Sequence, residues 1–568
     1  MNLLICSKQF GTDVSDGFEI IESGDFRVCF SKSNNITIQQ EGQSTALISG
    51  ILLGPLQKKD SLFNQSVKKL CKSALESNGS FAVVISREKS VTVVADCGGS
   101  IPLYYGYGPK GFALGTPVHE VAKASGLTKE DDVSKVDYLM NHVVCYPYTW
   151  YKDVYVVPPG SVVTFHPDGK KDIHTYWQPT EQPDIMDRSC DVQEWAERLR
   201  FEVKNSIDQS LQGCKKVRVL FSGGEDSRAV LGLIPKNANY ECIATTVLEN
   251  KNREYRLADK AAKLLGYELD LIERPIGFYR QNIIERAKKV GLGRDLRNTH
   301  MFGEIGDQLN DSDILLGAYS SDTLFKTHYM SNIIQNKRGV KNQLKSPVPD
   351  NIEVIKYLNE RSTIFKESNV AKVIERRKGH HDNLLKIRPI TAGNWHGLWP
   401  VSNRNAYSYY LSNLTIGPKI VEPFIYNKVY QLASEMPDIC RINRDVFYRA
   451  FAKEMGWAGW LPTSGGRIPR ARNTWMDFLY RLGRKYRRKL IKFDYEKGYQ
   501  GSWSPDEGGW YPVNPKDHFD DEWCEYLNNQ LEGVLKDGDP DSFWNNPKDE
   551  RSVNAMKVRA LALAFRID

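Results

Sequence analysis

The stretch VRVLFSGGEDSRAVLGLI, residues 217–234, decides the fold of the longer part of this chain. Its first five residues, 217–221, are mostly apolar and favour β-structure, which predicts a buried strand of a parallel sheet. A short loop of glycine, serine and acidic residues follows, and an apolar helix begins at Arg228. Glycines let the backbone come close to an anion, and the N–H groups at the start of a helix point towards it. The segment therefore predicts an anion-binding site between a strand and a helix.

The loop itself, residues 222–227, carries side chains that suit a phosphate group. Ser222 and Ser227 add hydroxyl donors, and Asp226 offers a carboxylate to a magnesium ion. The loop is not a Walker A motif, because no Gly-Lys-Ser/Thr follows the first glycine at the required spacing. A tight turn of an ordinary α/β domain, without a ligand, is the alternative interpretation.

The composition is that of a globular protein with more than one domain. Of the 568 residues, 41% are hydrophobic and 26% are charged, and the net charge of +7 is too small for this length to indicate nucleic acid binding. No run of eighteen apolar residues is present, so we expect neither a membrane-spanning helix nor stable membrane insertion. The N-terminus lacks the pattern of a signal peptide. Ten cysteines without a CxxC pair predict the reduced, mostly buried thiols of a cytoplasmic protein.

The hydrophobic pattern changes about a third of the way along the chain. Residues 1–180 contain short β-favouring runs, such as 91–95, separated by turn residues. Residues 178–189 are polar, contain two prolines and are typical of a linker. From Val192 onwards helical patterns alternate with apolar strands, which predicts a parallel sheet covered on both faces. We therefore predict two domains, 1–180 and 190–568.

The first predicted domain resembles the glutaminase-like domain of asparagine synthetases. The segments that carry this resemblance are NGSFAVV (78–84), ADCGGSIPLYY (95–105), VPPGS (157–161) and YW (176–177). The second resembles their synthetase domain, because SGGxDS is similar to the pyrophosphate-binding loop of the ATP pyrophosphatases, which split ATP between its α- and β-phosphates. Further matches are Glu254, LGAYSSDTLF (316–325), EPF (422–424) and LP (461–462).

The resemblance implies an α/β and α+β chain of two domains. A β-rich sandwich of the Ntn type would come first. A parallel-sheet ATP-pyrophosphatase domain, of the adenine nucleotide α hydrolase-like fold, would follow with a helical extension. The implied cofactors are ATP and Mg²⁺. The residues that would hold ATP are Ser222, Gly223, Gly224, Asp226, Ser227 and Glu254. Asp226 and Asp322 would hold magnesium on the ATP phosphates.

One departure from the family concerns its glutamine site. Asn2 stands where the glutamine-using members carry a cysteine that becomes the N-terminal nucleophile. That location matters because an N-terminal cysteine can use its own α-amino group as the base. The nearest thiol, Cys6, falls inside the first predicted strand and is expected to be a core residue. This domain is therefore expected not to hydrolyse glutamine, and in this it is similar to the inert N-terminal domain of β-lactam synthetases and lasso-peptide cyclases.

A second departure concerns the loop that reads GEGSDE in asparagine synthetases. Tyr319 replaces its first glutamate, whose carboxylate could position ammonia, while Asp322 keeps the later carboxylate. The tyrosine either takes part in a proton relay or packs. Lys419 and Val421 replace the Glu-x-Arg that precedes Pro-Phe in the family. These changes argue against plain asparagine synthesis.

A third departure concerns a family lysine that contacts the α-phosphate and pyrophosphate. Counted from residues 461–462, its place falls on Arg470, with Arg467 one turn earlier. Arginine keeps the charge and adds a planar fork, whereas a solvated basic loop is the alternative. Residues 480–493 form a basic amphipathic pattern that could bind an acidic substrate, a leader peptide or a membrane surface, or remain a solvated face.

The activity implied by these residues is that of a carbon–nitrogen ligase. It would activate a substrate carboxylate as an acyl-adenylate, release pyrophosphate and transfer the acyl group to an amine. The partners would be a small-molecule or peptide carboxylate and an amine from a source other than glutamine, without nucleic acid; a homodimer stays open. The alternatives are a non-catalytic ATP-binding protein with a decayed site and an ammonia-dependent amidating enzyme of surface-sugar biosynthesis. A third, sulfur insertion into tRNA, is disfavoured by the absence of a CxxC or a paired catalytic cysteine near the loop.

Overall fold

A computed structural model of the protein describes most of the chain. The described residues are 2–8, 17–57, 62–185, 189–236, 239–275, 283–294, 304–326, 362–401, 417–464, 466–471, 479, 482–483, 513–545 and 551–565. The predicted basic helix at 480–493 therefore lies almost entirely outside the described residues. In the described part of the chain, no helix has both the length and the apolar character needed to cross a bilayer.

The N-terminal region consists of two antiparallel sheets. Their strands are β1 (Leu3–Ser7), β2 (Phe18–Ser23), β3 (Phe26–Ser31), β4 (Ile36–Glu41), β5 (Ser44–Leu53), β6 (Asn78–Arg87), β7 (Ser90–Ala95), β8 (Tyr104–Gly108), β9 (Gly111–Gly115), β10 (Val154–Val156), β11 (Ser161–Phe165) and β12 (Lys171–Thr175). The first sheet has the order β10-β8-β9-β1-β3-β2, and the second has the order β12-β11-β7-β6-β5-β4.

The two sheets pack face to face through aromatic side chains. The ring of Phe165 on β11 lies 4.8 Å from that of Tyr105 on β8 and 5.3 Å from that of Phe112 on β9, measured between centroids. The β-rich N-terminal sandwich predicted from the sequence is confirmed. Alternating apolar residues on these strands build this shared core, because successive side chains of a strand point to opposite faces.

The C-terminal region is built on a parallel sheet. Its strands are β13 (Lys216–Leu220), β14 (Glu241–Leu248), β15 (Leu269–Glu273), β16 (Ile314–Leu316) and β17 (Lys419–Val421). Their order is β15-β14-β13-β16-β17, and each neighbouring pair is parallel. This confirms the predicted parallel sheet. The strand order reverses between β13 and β16, which is where ligands bind in open α/β sheets.

Helices surround both regions. The α-helices are α1 (Val67–Glu76), α2 (Val118–Ser125), α3 (Asp132–Asn141), α4 (Val192–Ser210), α5 (Glu225–Leu233), α6 (Arg253–Leu265), α7 (Ile283–Val290), α8 (Glu304–Asp307), α9 (Ser321–Phe325), α10 (Glu367–Leu385), α11 (Ala392–Trp395), α12 (Asn427–Glu435), α13 (Asp438–Arg441), α14 (Asp445–Phe451), α15 (Asp521–Glu532), α16 (Pro540–Trp544) and α17 (Arg551–Ala560). Short 3₁₀ helices occupy Pro55–Gln57, Ser362–Ile364, Pro423–Ile425, Ile442–Arg444, Gly456–Trp460, Pro515–Asp517 and Leu561–Ala564.

The two regions are joined by buried hydrogen bonds. Asn78 Nδ2 donates to Ser206 Oγ at 3.0 Å, and the Cys97 N–H donates to Asn427 Oδ1 at 2.9 Å. The last described residues also return to the N-terminal region, because the ring of Phe565 packs at 5.2 Å against that of His119. The division of the chain at 1–180 and 190–568 stays a prediction.

Candidate functional site

The loop after β13 is a tight turn that needs glycine. Gly223 has a φ of +68°, and a Cβ there would lie only 2.8 Å from Ala258 Cα on α6. Gly224 is the extended N-cap of α5. Ser222 Oγ accepts a hydrogen bond from the Gly224 N–H at 3.3 Å, and Ser227 Oγ donates to Gly224 O at 3.2 Å. No side chain among the described residues caps α5, so its first N–H groups are available to an anion.

Two cations neutralise the acidic side chains at the start of α5. Lys326 Nζ lies 3.1 Å from Glu225 Oε2 and also contacts Asp226 Oδ1, while Arg444 Nη1 contacts Glu225 Oε1. We call these four side chains the loop cluster. The side chains of Glu225 and Lys326 are 5% and 9% exposed, whereas that of Asp226 is 31% exposed. Asp226 is therefore the carboxylate of the cluster that solvent or a ligand can reach.

The charges of the loop cluster depend on one another. Burial alone would raise the pKa of Glu225, but Lys326 and Arg444 outweigh it and hold the pKa at about 2. Burial raises the pKa of Asp226, and the carboxylates of Glu225 and Asp322 add to the rise while Lys326 opposes it. Burial would lower the pKa of Lys326, but Asp226 and Glu225 more than compensate, so its pKa is raised. The loop therefore holds an ionised Glu225 and a protonated Lys326 at neutral pH.

Asp322 reaches the same place from the neighbouring strand. Strands β13 and β16 pair in parallel, with Val219 opposite Leu316, so their carboxyl ends lie side by side. Ser320 has a φ of +66° and leads into α9, whose first turn carries Asp322. The charge of Asp322 contributes to the raised pKa of Asp226.

These carboxylates would suit a magnesium ion that brings other ligands with it, rather than a complete metal cage. Among the described residues, no group of three or more His, Cys, Asp or Glu side chains could hold a metal ion. Magnesium in nucleotide sites is commonly bound by one or two carboxylates together with phosphate oxygens and water. Asp226 and Asp322 supply such a pair, so the residues present fit an ion that arrives with a polyphosphate.

Tyr319 is held through its backbone by a buried acid. Its N–H donates to Glu422 Oε2 at 2.7 Å, and Glu422 is 1% exposed. Burial raises the pKa of Glu422 to about 8, although the Tyr319 N–H opposes the rise. The partly buried Tyr319 ring packs against two clusters of buried hydrophobic side chains in the protein core. The ring packs, as one of the two predicted alternatives requires, and a proton relay through its hydroxyl stays a prediction.

The buried Glu422 side chain should make the protein less stable at alkaline pH. A glutamate with an ordinary pKa of 4.5 when unfolded and about 8 when folded binds more protons in the folded state across that window. The free energy of unfolding therefore falls as pH rises, by about 1 kcal/mol between pH 7 and pH 9. Glu422→Gln keeps an acceptor for the Tyr319 N–H but cannot ionise. We therefore expect the free energy of unfolding of this variant, measured with urea, to decrease less between pH 7 and pH 9 than that of the wild type. The exposed variant Glu76→Gln should behave like the wild type, and an unchanged decline in Glu422→Gln would contradict the assignment.

The two predicted arginines lie on a different segment. Arg470 Nη1 donates to Gly456 O at 3.2 Å, and its guanidinium carbon lies 5.5 Å from the centroid of the Trp460 ring. Arg467 is exposed. These contacts place Arg470 against the 3₁₀ helix Gly456–Trp460. The role expected for these arginines at the leaving pyrophosphate stays a prediction.

Arg228 links that segment to α5, the helix that follows the loop 222–227. The side chain is fully buried; Nη1 donates to Ala458 O at 2.8 Å and Leu461 O at 2.6 Å, and Nη2 donates to Pro462 O at 3.0 Å. Burial lowers the pKa of Arg228 to about 10, so it remains charged at neutral pH. Arg228 is thus a clamp between the first helix after the loop and the segment that carries Arg470.

Glu254 lies beside the loop on α6. It belongs to the first turn of this helix and is 3% exposed. About one turn later, Ala258 packs against Gly223. The position suits a residue that supports the loop, and its contact with a nucleotide stays a prediction.

Sequence reasoning missed the cations of the loop cluster. Lys326 follows Asp322 by about one helical turn, and this spacing could have placed both side chains at the same sheet edge. Arg444 gives no such signal, because it lies 219 residues from Glu225 along the chain.

Asn2 directly precedes β1, and Cys6 lies within it. The expected loss of the glutamine nucleophile stays a prediction. Asn2 N donates to Ser31 Oγ at 2.8 Å. Cys6 lies in β1 and is 1% exposed, so the prediction that it is a core residue is confirmed. All ten cysteines are free thiols, as their spacing predicted.

Comparison with known proteins identifies part of the N-terminal region. The model of a family described as a glutamine amidotransferase domain matches residues 65–177, from α1 to just beyond β12. No curated protein matches the chain. The N-terminal region therefore contains a glutamine amidotransferase-type domain, and such a domain indicates an amidotransferase-like enzyme function. The match begins after β1, so it does not include Asn2 or Cys6.

Two solved structures show weak similarity. One is described as the allosteric regulatory enzyme of purine biosynthesis, with 12% identity and a TM-score of 0.19. The other is glutamine phosphoribosylpyrophosphate amidotransferase from B. subtilis, complexed with ADP and GMP, with 10% identity and a TM-score of 0.18. Each similarity covers 39% of this chain and 54% of the other, about half the length of the relative. TM-scores this low do not establish a shared fold.

Proposed function

We propose that this chain is an ATP-dependent, AMP-forming ligase of the asparagine synthetase-like kind that makes a carbon–nitrogen bond. The observation that carries the proposal is the juxtaposition of Asp226 and Asp322. They begin the helices that follow two neighbouring parallel strands, at the point where the strand order reverses. Beside Asp226, the start of α5, which no described side chain caps, would offer backbone N–H groups to phosphate oxygens.

In the proposed reaction, an oxygen of the substrate carboxylate attacks the α-phosphate of ATP. The bond to the β-phosphate breaks, and pyrophosphate leaves towards the loop 222–227. The N–H groups of α5 and the hydroxyls of Ser222 and Ser227 would donate hydrogen bonds to oxygen atoms of the leaving group as negative charge develops there. Magnesium, when bound by Asp226 and Asp322, would neutralise phosphate charge. An amine then attacks the acyl-adenylate and AMP leaves.

The products test this proposal directly. The substrate acid should start exchange of labelled pyrophosphate into ATP without any amine, if adenylation is reversible and precedes amine capture. ATP alone should turn over slowly, because the attacking carboxylate must be bound first. Formation of AMP and pyrophosphate supports the ligase. Formation of ADP and phosphate would contradict the ligase proposal. Absence of any product with every carboxylic acid tested would contradict it as well.

We expect glutamine not to serve as the nitrogen donor. Cys6 is buried in β1, and Asn2 stands at the place of the family's nucleophilic cysteine. Incubation with glutamine should produce glutamate no faster than the uncatalysed reaction, in the wild type and in Cys6→Ala alike. Glutamate formation that disappears in Cys6→Ala would show that the domain has a working glutaminase site.

A non-catalytic nucleotide-binding protein is the second candidate. The observation that favours it is the contact between Lys326 and Asp226, which occupies one of the two carboxylates that would hold magnesium. Such a protein would bind ATP but release neither AMP nor ADP with any acid. The exchange experiment separates the two candidates.

A further inference from the structure

Lys326 occupies the centre of the candidate site. It is the first residue after α9, and its ammonium group contacts Asp226 and lies 3.1 Å from Glu225 Oε2 at the start of α5. The ring of Phe447 on α14 also packs against the ammonium group, with its centroid 4.1 Å from Nζ. The side chain is only 9% exposed. Contacts from α5 and α14 thus hold the ammonium group that follows α9 at the start of α5.

Three other cations among the described residues of this part of the fold have partners of their own. Arg444 contacts the opposite oxygen of Glu225. Arg228 donates to three backbone carbonyl groups. Arg470, at the place of the family's phosphate-binding lysine, donates to Gly456 O. Among the described residues, Lys326 is the cation that contacts Asp226, the partly exposed carboxylate of the loop cluster.

The geometry points to Lys326 as the side chain that binds the pyrophosphate end of the nucleotide. This inference rests on the proposed function and names the cation of that site. An ammonium group has three N–H donors that rotate freely, and the two carboxylate contacts use two of them. The third can bind a phosphate oxygen that approaches from the side of Asp226. The negative charge of a polyphosphate would also be attracted to the protonated ammonium group of Lys326. Water screens this attraction little, because the Lys326 side chain is mostly buried.

Arg444 provides a matched control for this inference. It carries the same charge as Lys326 and contacts the same carboxylate, but through Oε1. Lys326→Met and Arg444→Met therefore change the net charge equally, and each removes one partner of Glu225. Only Lys326→Met removes a donor from the side of Asp226.

The test is the affinity for pyrophosphate and for ATP, measured by calorimetry on the full chain, with EDTA and with excess magnesium. We expect Lys326→Met to weaken pyrophosphate binding in EDTA by about tenfold or more, whereas Arg444→Met changes it by no more than about threefold. Lys326→Arg, which keeps the charge, should retain part of the affinity. Equal losses in Lys326→Met and Arg444→Met, or no loss in Lys326→Met, would overturn the inference.

Folding and function are controlled separately. If Lys326→Met does not fold, Glu225→Gln/Lys326→Met is compared with Glu225→Gln, since this pair of proteins differs only at Lys326 and lacks the buried charge of Glu225. The same loss of affinity is expected in the double variant, and its absence would overturn the inference. Wild-type protein that binds neither ATP nor pyrophosphate, with or without magnesium, would contradict the proposed function itself. If the wild-type protein binds both ligands and the Lys326 variants bind them with unchanged affinity, only the role of Lys326 is contradicted.

Discussion

Replacing Asp226 with asparagine will lower pyrophosphate release in the presence of the substrate acid by about a hundredfold or more. The variant keeps the shape of the side chain but loses the charge through which Asp226 would hold magnesium with Asp322. The fold should survive, because Lys326 still pairs with Glu225 and the apolar strand β13 is unchanged. The measurement is pyrophosphate release at saturating ATP, accompanied by a thermal unfolding curve of the same preparation.

Two further variants define the specificity of this effect. Asp322→Asn should lower the rate similarly, with partial recovery at high magnesium concentration, because one carboxylate ligand remains. Asp259→Asn, on α6 in a surface pair with Lys263 at 2.8 Å, should release pyrophosphate at the wild-type rate. Near-wild-type release by Asp226→Asn would exclude Asp226 from the mechanism.

Replacing Arg228 with methionine will destabilise the protein by about 3 kcal/mol, because three carbonyl groups lose a charged hydrogen-bond donor. These carbonyls, of Ala458, Leu461 and Pro462, accept hydrogen bonds from a fully buried guanidinium group. Methionine fills much of the volume but donates no hydrogen bond. The effect is the change in the free energy of unfolding, measured with urea at neutral pH.

The comparison variants separate geometry from charge. Arg228→Lys should recover little stability, because an ammonium group cannot reproduce the planar fork that reaches all three carbonyls. Arg198→Met, which removes an exposed pair with Glu435 on the surface, should change stability by no more than about 0.5 kcal/mol. A change this small in Arg228→Met would show that the clamp does not contribute to stability.

Local patterns in the sequence predicted the architecture because each strand and turn follows from neighbouring residues. The apolar run 217–221 indicated the central strand, and the structure has it at Lys216–Leu220. The helix after it begins at Glu225, three residues before the predicted start at Arg228. The difference arises because Gly224 caps the helix and acidic residues are favourable in its first turn, where they face the positive end of the helix dipole.

The candidate site was predicted only as far as it is local. The loop 222–227 and its neighbour Asp322 could be located from short motifs. The glutaminase-like domain could be located in the same way, and the family match at 65–177 confirms that part of the assignment. The buried Glu422 appeared in the sequence only as part of a motif, without its contact to the Tyr319 N–H.

The sequence by itself determined the β-rich N-terminal region, the parallel C-terminal sheet and the glycine turn at 222–227, because hydrophobic period, glycine and turn residues act over a few positions. The tertiary structure decided which charges meet at that loop. Lys326 and Arg444 reach Glu225 from 101 and 219 residues away, and no local pattern records such contacts. The structure likewise decided the neighbours of Arg470, whose side chain contacts the turn that Arg228 clamps to α5. Charge pairing of this kind depends on burial and on the packing of distant segments, so it follows only once the chain has folded.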